Sequence, residues 1–407
     1  MPQAFGLDFG TTNSAVACAS ERGIQITPVH RSVLYFEPKA PTATGNAAID
    51  RYLAADAKGR LMQSLKSFLA SRLFTGTNVY GRQYSIEDLL TIFLRDLRKL
   101  AELQFGPFKG PVVVGRPVRY SNANTDEDNE FAIGRIRSAL EKAGIGPVEF
   151  EYEPVAAAYF YANTLDHDEL ILIGDFGGGT SDFSLLQVGP RKREILGSDG
   201  VALAGDAFDS QMVRHLVSPM LGRGSEYRSV DKVLPMPVWV YSDLERWHYL
   251  SLLKSPDTVQ MLRSIRYHSL EPEKIGALLH VVESDLGFYL HRSIQQTKAD
   301  LSSRLDSRFQ FRDAMIDIHA PLSRMQFEEW IDEELERIRS CIAGLLTRAR
   351  ISPADIDHVF LTGGSSLVPS VRAIFESIFD PEKLTSGSEF TSVAQGLALR
   401  ALELQRR

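Results

Sequence analysis

Two stretches of the chain share one arrangement of apolar and polar residues. The first, AFGLDFGTTNSAVACA, spans residues 4–19, and the second, LILIGDFGGGTSDFSLLQV, spans residues 170–188. Each has an apolar run that ends in Asp-Phe-Gly, a turn rich in glycine and threonine, and a second apolar run. A third short run follows each pair, at residues 24–29 and 193–196. Strand periodicity and turn chemistry therefore predict two antiparallel three-stranded units, each opened by a tight hairpin.

Both units continue into further strand and helix signals. In the first, residues 111–118 (PVVVGRPV) have the pattern of a buried strand, and a helix is predicted to begin near residues 124–125. In the second, apolar residues at helical spacing across 331–345 precede a strand at 358–364 and a helix that begins at Pro369. Strands mixed with helices in two similar halves indicate an α/β protein with a cleft between the halves.

The likeness of the two stretches indicates duplicated halves, which we place at residues 1–168 and 169–407. Asp8 and Asp175 head the two turns and lie too far apart for a short-period repeat array. We therefore expect two related folding units and not a solenoid.

Each half is predicted to contain an insertion. The inserted segments are residues 38–110 and 207–303, and both are mainly helical by pattern. The second contains an aromatic-rich run at residues 234–250, which we interpret as core packing because aromatic residues bury large apolar areas.

Composition narrows the partners and the compartment. The 407 residues include 45 basic and 52 acidic side chains, which gives a formal net charge of −7. Nucleic acids and anionic membrane surfaces attract a basic excess, so neither is expected as a partner. The two cysteines, Cys18 and Cys341, form no CxxC pair, which favours a reducing compartment. Without a signal-peptide pattern or an apolar run long enough to span a bilayer, a cytoplasmic protein is expected.

The turns of both hairpins have the chemistry of a phosphate-binding loop. Small residues let the backbone approach an anion, and turn N–H groups and threonine hydroxyls can donate hydrogen bonds to phosphate oxygens. One glycine-rich hairpin is weak evidence for phosphate binding, but two similar hairpins, each headed by an aspartate, are much stronger evidence. The residues concerned are Gly10, Thr11, Thr12 and Asn13 in the first hairpin and Gly177, Gly178, Gly179 and Thr180 in the second.

Four acidic residues border these turns or lie between them in sequence, namely Asp8, Glu153, Asp175 and Asp182. Mg²⁺ bound to phosphates needs hard oxygen ligands, usually one or two carboxylates plus waters. Hydrolysis also needs a group that orients the attacking water. Asp8 and Asp175 could instead only cap the turns, which is a common role of aspartate. Their pairing beside two glycine-rich turns favours the metal and water chemistry.

The motifs DFGTTNSAVA, EPVAAA, DFGGGTSDFSLL and LTGGSSLVP occur in that order. They are similar to the phosphate-one, connect, phosphate-two and adenosine motifs of the sugar kinase–actin–heat-shock superfamily. GTTNS and EPVAAA resemble the seventy-kilodalton heat-shock (DnaK-like, Hsp70) branch, as does LSRMQFEEW at residues 322–330. The resemblance extends from Phe5 to about Gly396. The chain is most similar in extent to the short, YegD-type members of the family, which consist of the ATPase domain alone. It implies the actin-like ATPase (ribonuclease H-like) fold, with two similar halves around a nucleotide cleft.

The resemblance implies which residues hold the phosphates and the metal. Thr11, Thr12 and Asn13 would bind phosphate, and the nucleotide would be ATP or ADP. Asp8 and Asp175 would hold Mg²⁺ through waters.

The resemblance also implies a catalytic set. Glu153 would help to place a water or the metal, and Asp175 or Asp182 would act as acceptor for the attacking water. Thr180 would form a hydrogen bond near the terminal phosphate. Lys66, in the segment MQSLKSFL, matches the family's catalytic lysine, which stabilises the γ-phosphate and orients water. From residue type alone, a lysine there would be assigned to solvated surface.

At the adenosine end the resemblance implies contacts from two segments. Gly363, Gly364 and Ser365 would contact the adenosine. Lys298 and Ser302, in QTKADLSS, fall on positions that contact the ribose.

The resemblance leaves the role of Asp209, on the far side of the cleft, undecided, and it fails at two positions that would contact the adenine. Asp209, in LAGDAFD, matches the family's GGxDFD segment, where a structural role is at least as plausible as nucleotide contact. The family usually places stacking arginines on both faces of the adenine, but Ala299 and Leu367 stand at those positions here. The adenine would then contact apolar groups, with lower affinity or base selectivity.

The sequence is also expected to lack the family's substrate-binding domain, because neither the acidic-leucine linker nor a β-rich segment is found in it. Nucleotide-coupled peptide clamping is therefore not expected within this chain. A co-chaperone or a client protein would be the partner that responds to nucleotide-dependent cleft closure.

Three classes of function remain open. The leading hypothesis is a slow heat-shock-type ATPase with a chaperone role. The alternatives are a small-molecule kinase of the same fold and a non-catalytic actin-like filament or scaffold protein. P-loop and Rossmann proteins are excluded because no GxxxxGK[ST] or GxGxxG motif follows a strand.

Overall fold

The computed structural model of the chain describes residues 3–55, 59–162, 165–190, 192–386 and 392–406, and these form a mixed α/β protein. In chain order the strands are β1 (Ala4–Phe9), β2 (Asn13–Ser20), β3 (Gly23–Ile26), β4 (His30–Arg31), β5 (Val33–Phe36), β6 (Ala43–Thr44), β7 (Arg60–Gln63), β8 (Thr77–Val79), β9 (Arg82–Tyr84), β10 (Val112–Arg116), β11 (Val148–Tyr152), β12 (Glu169–Phe176), β13 (Ser181–Val188), β14 (Arg193–Val201), β15 (Glu226–Ser229), β16 (Lys232–Pro235), β17 (Asp306–Asp313), β18 (Ile316–Ser323), β19 (His358–Thr362) and β20 (Leu384–Ser386). The α-helices are α1 (Gly45–Ala54), α2 (Ile86–Phe105), α3 (Asp126–Lys142), α4 (Glu153–Ala162), α5 (Gly205–Met212), α6 (Val238–Glu245), α7 (Pro256–His268), α8 (Pro272–Glu283), α9 (Gly287–Ser303), α10 (Arg324–Trp330), α11 (Asp332–Ala349), α12 (Pro369–Ile378) and α13 (Ser392–Arg406).

The chain divides into two compact units. The first unit comprises Met1–Gly205, Glu336–Leu367 and Val371–Arg407, and the second comprises Asp206–Leu335 with Val368–Ser370.

Two sheets with the same strand order form the framework of the first unit. The first sheet runs β3-β2-β1-β10-β11, with β4 paired to β2 in addition, and the second runs β14-β13-β12-β19-β20. In the first sheet β3, β2 and β1 pair antiparallel, and β10 and β11 run parallel to β1. In the second sheet β14, β13 and β12 pair antiparallel, and β19 and β20 run parallel to β12. The predicted pair of antiparallel three-stranded units is therefore confirmed.

Each hairpin closes with the same backbone hydrogen bond. The N–H of Gly10 donates to the carbonyl oxygen of Asn13 at 3.0 Å, and the N–H of Gly177 donates to that of Thr180 at 2.9 Å. A Cβ on Gly10 would overlap the Asn13 carbonyl oxygen. The first turn therefore requires glycine, since any side chain would break its closure.

Two helices, α4 and α13, form a layer that contacts both sheets. A Cβ on Gly6 of β1 would overlap backbone atoms of Ala394 and Ala398 in α13, and one on Gly396 of α13 would overlap the carbonyl oxygen of Ala156 in α4. Small residues thus let the backbones approach closely. The buried cluster around the layer draws on both sheets, with Ala4 and Val113 from the first and Ile171, Ile173, Leu186 and Val188 from the second.

The second unit is mainly helical and carries two β-hairpins. The hairpins are β15–β16 and β17–β18, both antiparallel. Along β17 the burial alternates, with Phe309 and Phe311 inside, as expected for a strand that has one face on the core. The helical core of this unit includes the buried residues Tyr241, Leu244, Leu262, Leu278, Leu290 and Ile294.

Most predicted helices begin and end near the expected residues. Thr125 is the N-cap of α3, where its hydroxyl and the carboxylate of Asp128 form a reciprocal capping box. The face of α3 that carries Ile133, Ile136 and Leu140 is buried, as its spacing predicted. The strand at residues 358–364 and the helix from Pro369 also form, as β19 and α12.

Two expectations about the inserted segments need correction. Residues 38–110 contain the short strands β6 to β9 in addition to α1 and α2, so this segment is less purely helical than predicted. In the aromatic-rich run at 234–250, Val240 and Tyr241 are buried, but Val238 and Trp239 are exposed, so the interpretation as core packing holds for only part of the run. The division of the chain into halves at residue 168 and the limits of the insertions stay predictions.

Among the described residues, no helix combines the length and the apolar character that crossing a bilayer requires.

We predict that Gly396→Ala destabilises the protein because the new methyl group would overlap the Ala156 carbonyl oxygen and push α13 away from α4. Overpacking of this kind costs about 1–3 kcal/mol. Gly134→Ala is the matched control, since a Cβ at that position in α3 meets no atom within 4 Å. The control should be neutral or stabilising by up to about 1 kcal/mol, because alanine favours a helix. Urea unfolding measures both, and equal midpoints for Gly396→Ala and the wild type would contradict the packing argument.

Candidate functional site

The two aspartates that head the hairpins lie at equivalent places in the two sheets. Asp8 lies near the end of β1, opposite Ala15 of β2. Asp175 lies near the end of β12, opposite Asp182 of β13 and beside Thr362 of the parallel strand β19. The hydroxyl of Thr362 donates to a carboxylate oxygen of Asp175 at 3.0 Å, which fixes the orientation of that carboxylate.

The two turns approach one another within the first unit. A Cβ placed on Gly179 of the second turn would lie 3.9 Å from the hydroxyl oxygen of Thr11 in the first turn. The same point would lie 2.8 Å from the hydroxyl oxygen of Ser121 and 3.7 Å from that of Ser67. Three hydroxyl groups from distant parts of the sequence therefore surround the second turn. Gly178 and Gly179 are both partly buried there.

A buried ion pair joins Lys66 to Glu153. The Lys66 ammonium lies 2.6 Å from a carboxylate oxygen of Glu153, and the two residues are only 8% and 7% exposed. Lys66 lies in the 3₁₀-helix Leu65–Phe68, which follows Ser64 in a left-handed conformation with φ 51°. Glu153 is the first residue of α4. Lys66 is thus a buried residue of the site, and its assignment to solvated surface from residue type alone is wrong.

Lys66 keeps its charge in spite of burial. Burial alone would lower the pKa of its ammonium group, but attraction to Glu153 and Asp8 outweighs that effect and raises the pKa above its usual value. A buried ammonium held in this way can place a fixed positive charge against an anionic substrate.

The aspartates of the site hold their protons more tightly than usual. Loss of hydration and repulsion by Glu153 raise the pKa of Asp8 to about 8. The same two causes, in the same order, raise the pKa of Asp175 to about 6, although the hydrogen bond from Thr362 and the charge of Lys66 act against them. Asp8, Glu153 and Asp175 therefore share one lysine, and a bound cation would favour the ionised form of the two aspartates.

Asp182 is buried and tightly bound by the backbone. Its carboxylate accepts hydrogen bonds from the N–H of Val118 at 2.8 Å and that of Arg119 at 3.3 Å. Burial, followed by repulsion from Glu153 and Asp175, raises the pKa of Asp182 to about 8. The hydroxyl of Thr180 also stabilises this carboxylate, so two of the three candidate catalytic residues of the second hairpin, Thr180 and Asp182, are in contact.

Residues 118–122, which follow β10, connect the parts of the site, and the sequence motifs did not identify them. Besides the two backbone donors to Asp182, the hydroxyl of Ser121 donates to the carbonyl oxygen of Gly179 at 3.4 Å. The side-chain amide of Asn122 donates to the carbonyl oxygen of Ser67 at 3.1 Å, beside Lys66. A polar run at the carboxyl end of a parallel strand is the signal that could have revealed this segment.

Arg135 of α3 supports the segment that carries Lys66. Its buried guanidinium donates to the carbonyl oxygens of Phe68, Leu69, Ser71 and Phe74 at 3.0–3.3 Å. Arg135 also forms an ion pair with Glu87 at 3.1 Å. One arginine thus satisfies the last carbonyl group of the 3₁₀-helix and three of those that follow it.

The glycine-serine segment of the predicted adenosine motif lies beside the second turn. Gly363 has φ 82°, which favours glycine, and a Cβ there would overlap the carbonyl oxygen of Phe176. The hydroxyl of Ser365 donates to the carbonyl oxygen of Gly177 at 3.1 Å. Gly364 begins the short 3₁₀-helix that ends at Leu367. The phosphate and adenosine motifs are therefore neighbours within the first unit.

Lys298 and Ser302 belong to the second unit, on α9. Lys298 forms an ion pair with the buried Asp209 at 2.6 Å, and the hydroxyl of Ser302 donates to the carbonyl oxygen of Lys298 at 3.2 Å. Ala299 is exposed beside them. The ion pair fits the structural role considered for Asp209, and the choice between that role and nucleotide contact stays a prediction, as do the ribose contacts of Lys298 and Ser302.

The carboxylates of the first unit fit Mg²⁺ by their chemistry. They are hard oxygen donors, on Asp8, Asp175 and Glu153, and a divalent cation would lower the raised pKa values of the two aspartates. Within the described residues, no group of three or more His, Cys, Asp or Glu side chains is arranged to bind a metal ion directly. Mg²⁺ keeps several of its waters when it binds to proteins, so water-mediated ligands remain compatible with this geometry.

The class of protein is the actin-like fold. It is defined by the duplicated sheets, the facing glycine-rich turns and the central helix layer. The family model described as "Hsp70 protein" matches residues 62–227 and 287–405, together more than half of the chain. The chain belongs to the Hsp70 family. The prediction of an α/β, actin-like ATPase fold is thereby confirmed.

Two curated relatives show the extent of the similarity. The chain is 23% identical to the "Chaperone protein DnaK" of Thermosipho melanesiensis over 97% of its own length, and 26% identical to that of Mycoplasmopsis agalactiae over 98%. In both cases it spans 58% of the relative's length.

We predict that Arg135→Met destabilises the segment that carries Lys66. Four carbonyl groups and Glu87 would lose a charged donor, and the loss of such hydrogen bonds costs about 2–4 kcal/mol in total. Arg137→Met on the exposed side of the same helix is the control, because Arg137 donates to only one carbonyl group, that of Val148. Urea unfolding should show a clear loss for Arg135→Met alone, and hydrogen exchange of residues 65–74 should accelerate in that variant. Unchanged exchange there would show that Arg135 does not support the segment.

Proposed function

We propose that the protein binds ATP with Mg²⁺ and hydrolyses it slowly to ADP and phosphate, as an ATPase of the Hsp70 type. The observation that carries this proposal is the buried Lys66–Glu153 pair beside three carboxylates, directly at two facing glycine-rich turns. Glycine-rich turns bind phosphate groups, and a buried lysine stabilises the charge that develops on them. Membership of the Hsp70 family supports the same activity.

The residues of the first turn would hold the phosphates. Thr11, Thr12 and Asn13 offer hydroxyl, amide and backbone N–H donors. They directly follow Gly10, where a side chain would not fit. Gly178 and Gly179 would present backbone N–H donors from the second turn, whereas the N–H of Gly177 closes the hairpin on Thr180, so Gly177 would contribute by letting the phosphate approach the backbone closely. Because the two turns lie within a few ångströms of one another, both could contact one polyphosphate chain.

Asp8 and Asp175 would hold Mg²⁺ through its waters. The metal would neutralise phosphate charge and relieve the repulsion between these carboxylates and Glu153. Glu153, fixed by its ion pair with Lys66, would orient a water molecule or a metal-bound water from the start of α4.

Of the two possible acceptors for the attacking water, Asp175 is the better base at neutral pH. Its pKa of about 6 leaves it mostly deprotonated at pH 7, whereas that of Asp182 is about 8. Asp182 is also occupied by backbone N–H donors from Val118 and Arg119, which suits a role in holding Thr180 and the turn. Thr180 would form a hydrogen bond near the terminal phosphate.

The proposed physiological role is that of a chaperone component in the cytoplasm. Nucleotide-dependent cleft closure would be sensed by a co-chaperone or a client protein. The relatives named above are chaperones, and the chain matches 58% of their length, which supports the ATPase part of that activity most directly. Nucleic acid and membrane are not proposed as partners, given the acidic net charge.

We predict that Lys66→Ala and Asp175→Ala each lower Mg²⁺-dependent ATP hydrolysis at least about a hundredfold, because each removes a charge at the reacting phosphate. Lys99→Ala, at an exposed lysine of α2, is the control and should hydrolyse ATP like the wild type. Phosphate release measures turnover, and circular dichroism verifies that the variants fold. Wild-type protein that fails to bind ATP in calorimetry with Mg²⁺ would refute the proposal.

Two further outcomes would identify the alternative classes of function. Hydrolysis that requires an added sugar or another small alcohol would indicate a kinase. Light scattering that rises on addition of ATP would indicate a filament-forming protein.

We also predict that Leu367→Arg tightens the binding of adenosine nucleotides about three- to tenfold. Leu367 is 52% exposed at the position where the family has a stacking arginine, and a guanidinium can stack on the adenine ring. Leu305→Arg adds the same charge at another exposed leucine and should leave the affinity unchanged. Calorimetry with ADP measures the affinity of each variant. Unchanged or weaker binding by Leu367→Arg would mean that the adenine lies elsewhere.

A further inference from the structure

Arg31 lies directly beside the first phosphate turn, although no motif includes it. It forms the two-residue strand β4 with His30, and this strand pairs with β2 so that Arg31 is opposite Asn13 and His30 is opposite Ser14. The N–H of Ser32 donates to the carbonyl oxygen of Thr12 at 2.9 Å, which fixes β4 to the turn itself. Directly opposite residues of an antiparallel pair have their side chains on the same face of the sheet.

The guanidinium of Arg31 has few partners for a half-buried cation. Its one described hydrogen bond is to the side-chain carbonyl oxygen of Asn13, at 3.2 Å. In the parts of the chain that the structure describes, no carboxylate lies within ion-pair distance of it. Burial lowers the pKa of Arg31, with no opposing attraction from an acidic group. A guanidinium has five N–H donors, so most of its capacity is unused here.

Other enclosed arginines of the first unit have more hydrogen-bond partners than Arg31. Arg135 donates to four carbonyl oxygens and pairs with Glu87. Arg60 donates to the carbonyl oxygen of Asn78 and to the hydroxyl of Thr77. These contacts tie chain segments together, whereas the hydrogen bond found for Arg31 among the described residues goes to an amide that itself belongs to the turn.

The charge of the site makes a further cation useful. Lys66 is already paired with Glu153 and attracted by Asp8, so its charge is largely compensated before any substrate arrives. A nucleotide polyphosphate would add several negative charges beside the carboxylates of Asp8 and Asp175. An arginine without a carboxylate partner can donate two parallel hydrogen bonds to phosphate oxygens, which suits this task.

We propose that Arg31 is an additional phosphate-binding residue, whose guanidinium donates to phosphoryl oxygens of the bound adenosine nucleotide while Asn13 holds it in place. This inference rests on the proposed function, because it concerns the same site. Arg31 increases the affinity for nucleotides through their phosphates and leaves the recognition of the nucleoside unchanged.

The experiment compares the wild type with Arg31→Gln and Arg31→Lys by calorimetry with Mg²⁺ and with ATP, ADP or adenosine. Glutamine can still donate a hydrogen bond to Asn13 but has no charge, and lysine keeps the charge. Arg31→Gln should bind ATP and ADP about tenfold more weakly or worse, with adenosine affinity within twofold of the wild type. Arg31→Lys should keep ATP affinity within about threefold. Arg22→Gln, at an exposed arginine after β2, should bind like the wild type.

The possible failures are distinguishable. If the wild type binds ATP and Arg31→Gln binds it equally well, Arg31 only positions Asn13 and the inference is wrong. If Arg31→Lys, which keeps the positive charge, binds ATP as weakly as Arg31→Gln, the charge at this position does not contribute to binding, which also overturns the inference. If the wild type itself binds no ATP, the proposed function fails. Thermal unfolding verifies that each variant is folded. If Arg31→Gln does not fold, Arg31→Met takes its place as the uncharged variant, with the same expected loss of ATP and ADP affinity.

Discussion

The close packing of α13 between β1 and α4 is the constraint on which the rest of the first unit depends. Gly6, Ala394, Ala398 and Gly396 bring backbones so near one another that no larger side chain fits. Because the buried cluster around this layer includes residues of both sheets, the layer sets how the sheets are spaced. The facing of the two turns, and therefore the geometry of the site, follows from that spacing. Glu153 shares the constraint directly, as the first residue of a helix within the layer.

A rigid scaffold of this kind is needed because the site it supports is electrostatically unfavourable. Asp8, Asp175 and Asp182 all have raised pKa values. The ammonium group of Lys66 is the positive charge that attracts Asp8 and Glu153. Concentrated negative charge lowers the stability of an unliganded fold, and a functional site commonly trades stability for such an arrangement. The hydrogen bonds of residues 118–122 and of Arg135 hold the charged groups where a cation and a polyphosphate would find them already oriented. In this view much of the polar network serves orientation and contributes little to net stability.

The sequence predicted the parts of the structure that local pattern and turn chemistry determine. Both hairpins and the aspartates that head them followed from strand periodicity and glycine-rich turns, and the N-cap at Thr125 followed from helix signals. Lys66 was found only by resemblance, because a residue of a one-turn 3₁₀-helix has no periodicity that reveals burial. Arg135 and residues 118–122 were missed because their partners lie about 55 to 67 positions away in sequence. Strands of two to four residues, such as β6 to β9, are too short for alternation to be recognised.

The contact between Gly6 and the helix at residues 394–398 joins the first strand of the described chain to its last helix. A ribosome that adds about 5–20 residues per second makes α13 tens of seconds after β1. During that interval the glycine and alanine face of β1 and β2, with Ala15, Ala17 and Ala19, has nothing to cover it. Contacts of such high sequence separation also form slowly, because the entropy of closing the loop is lost before the contact stabilises the fold. A member of the Hsp70 family thus has an apolar sheet face that stays uncovered through most of its own synthesis.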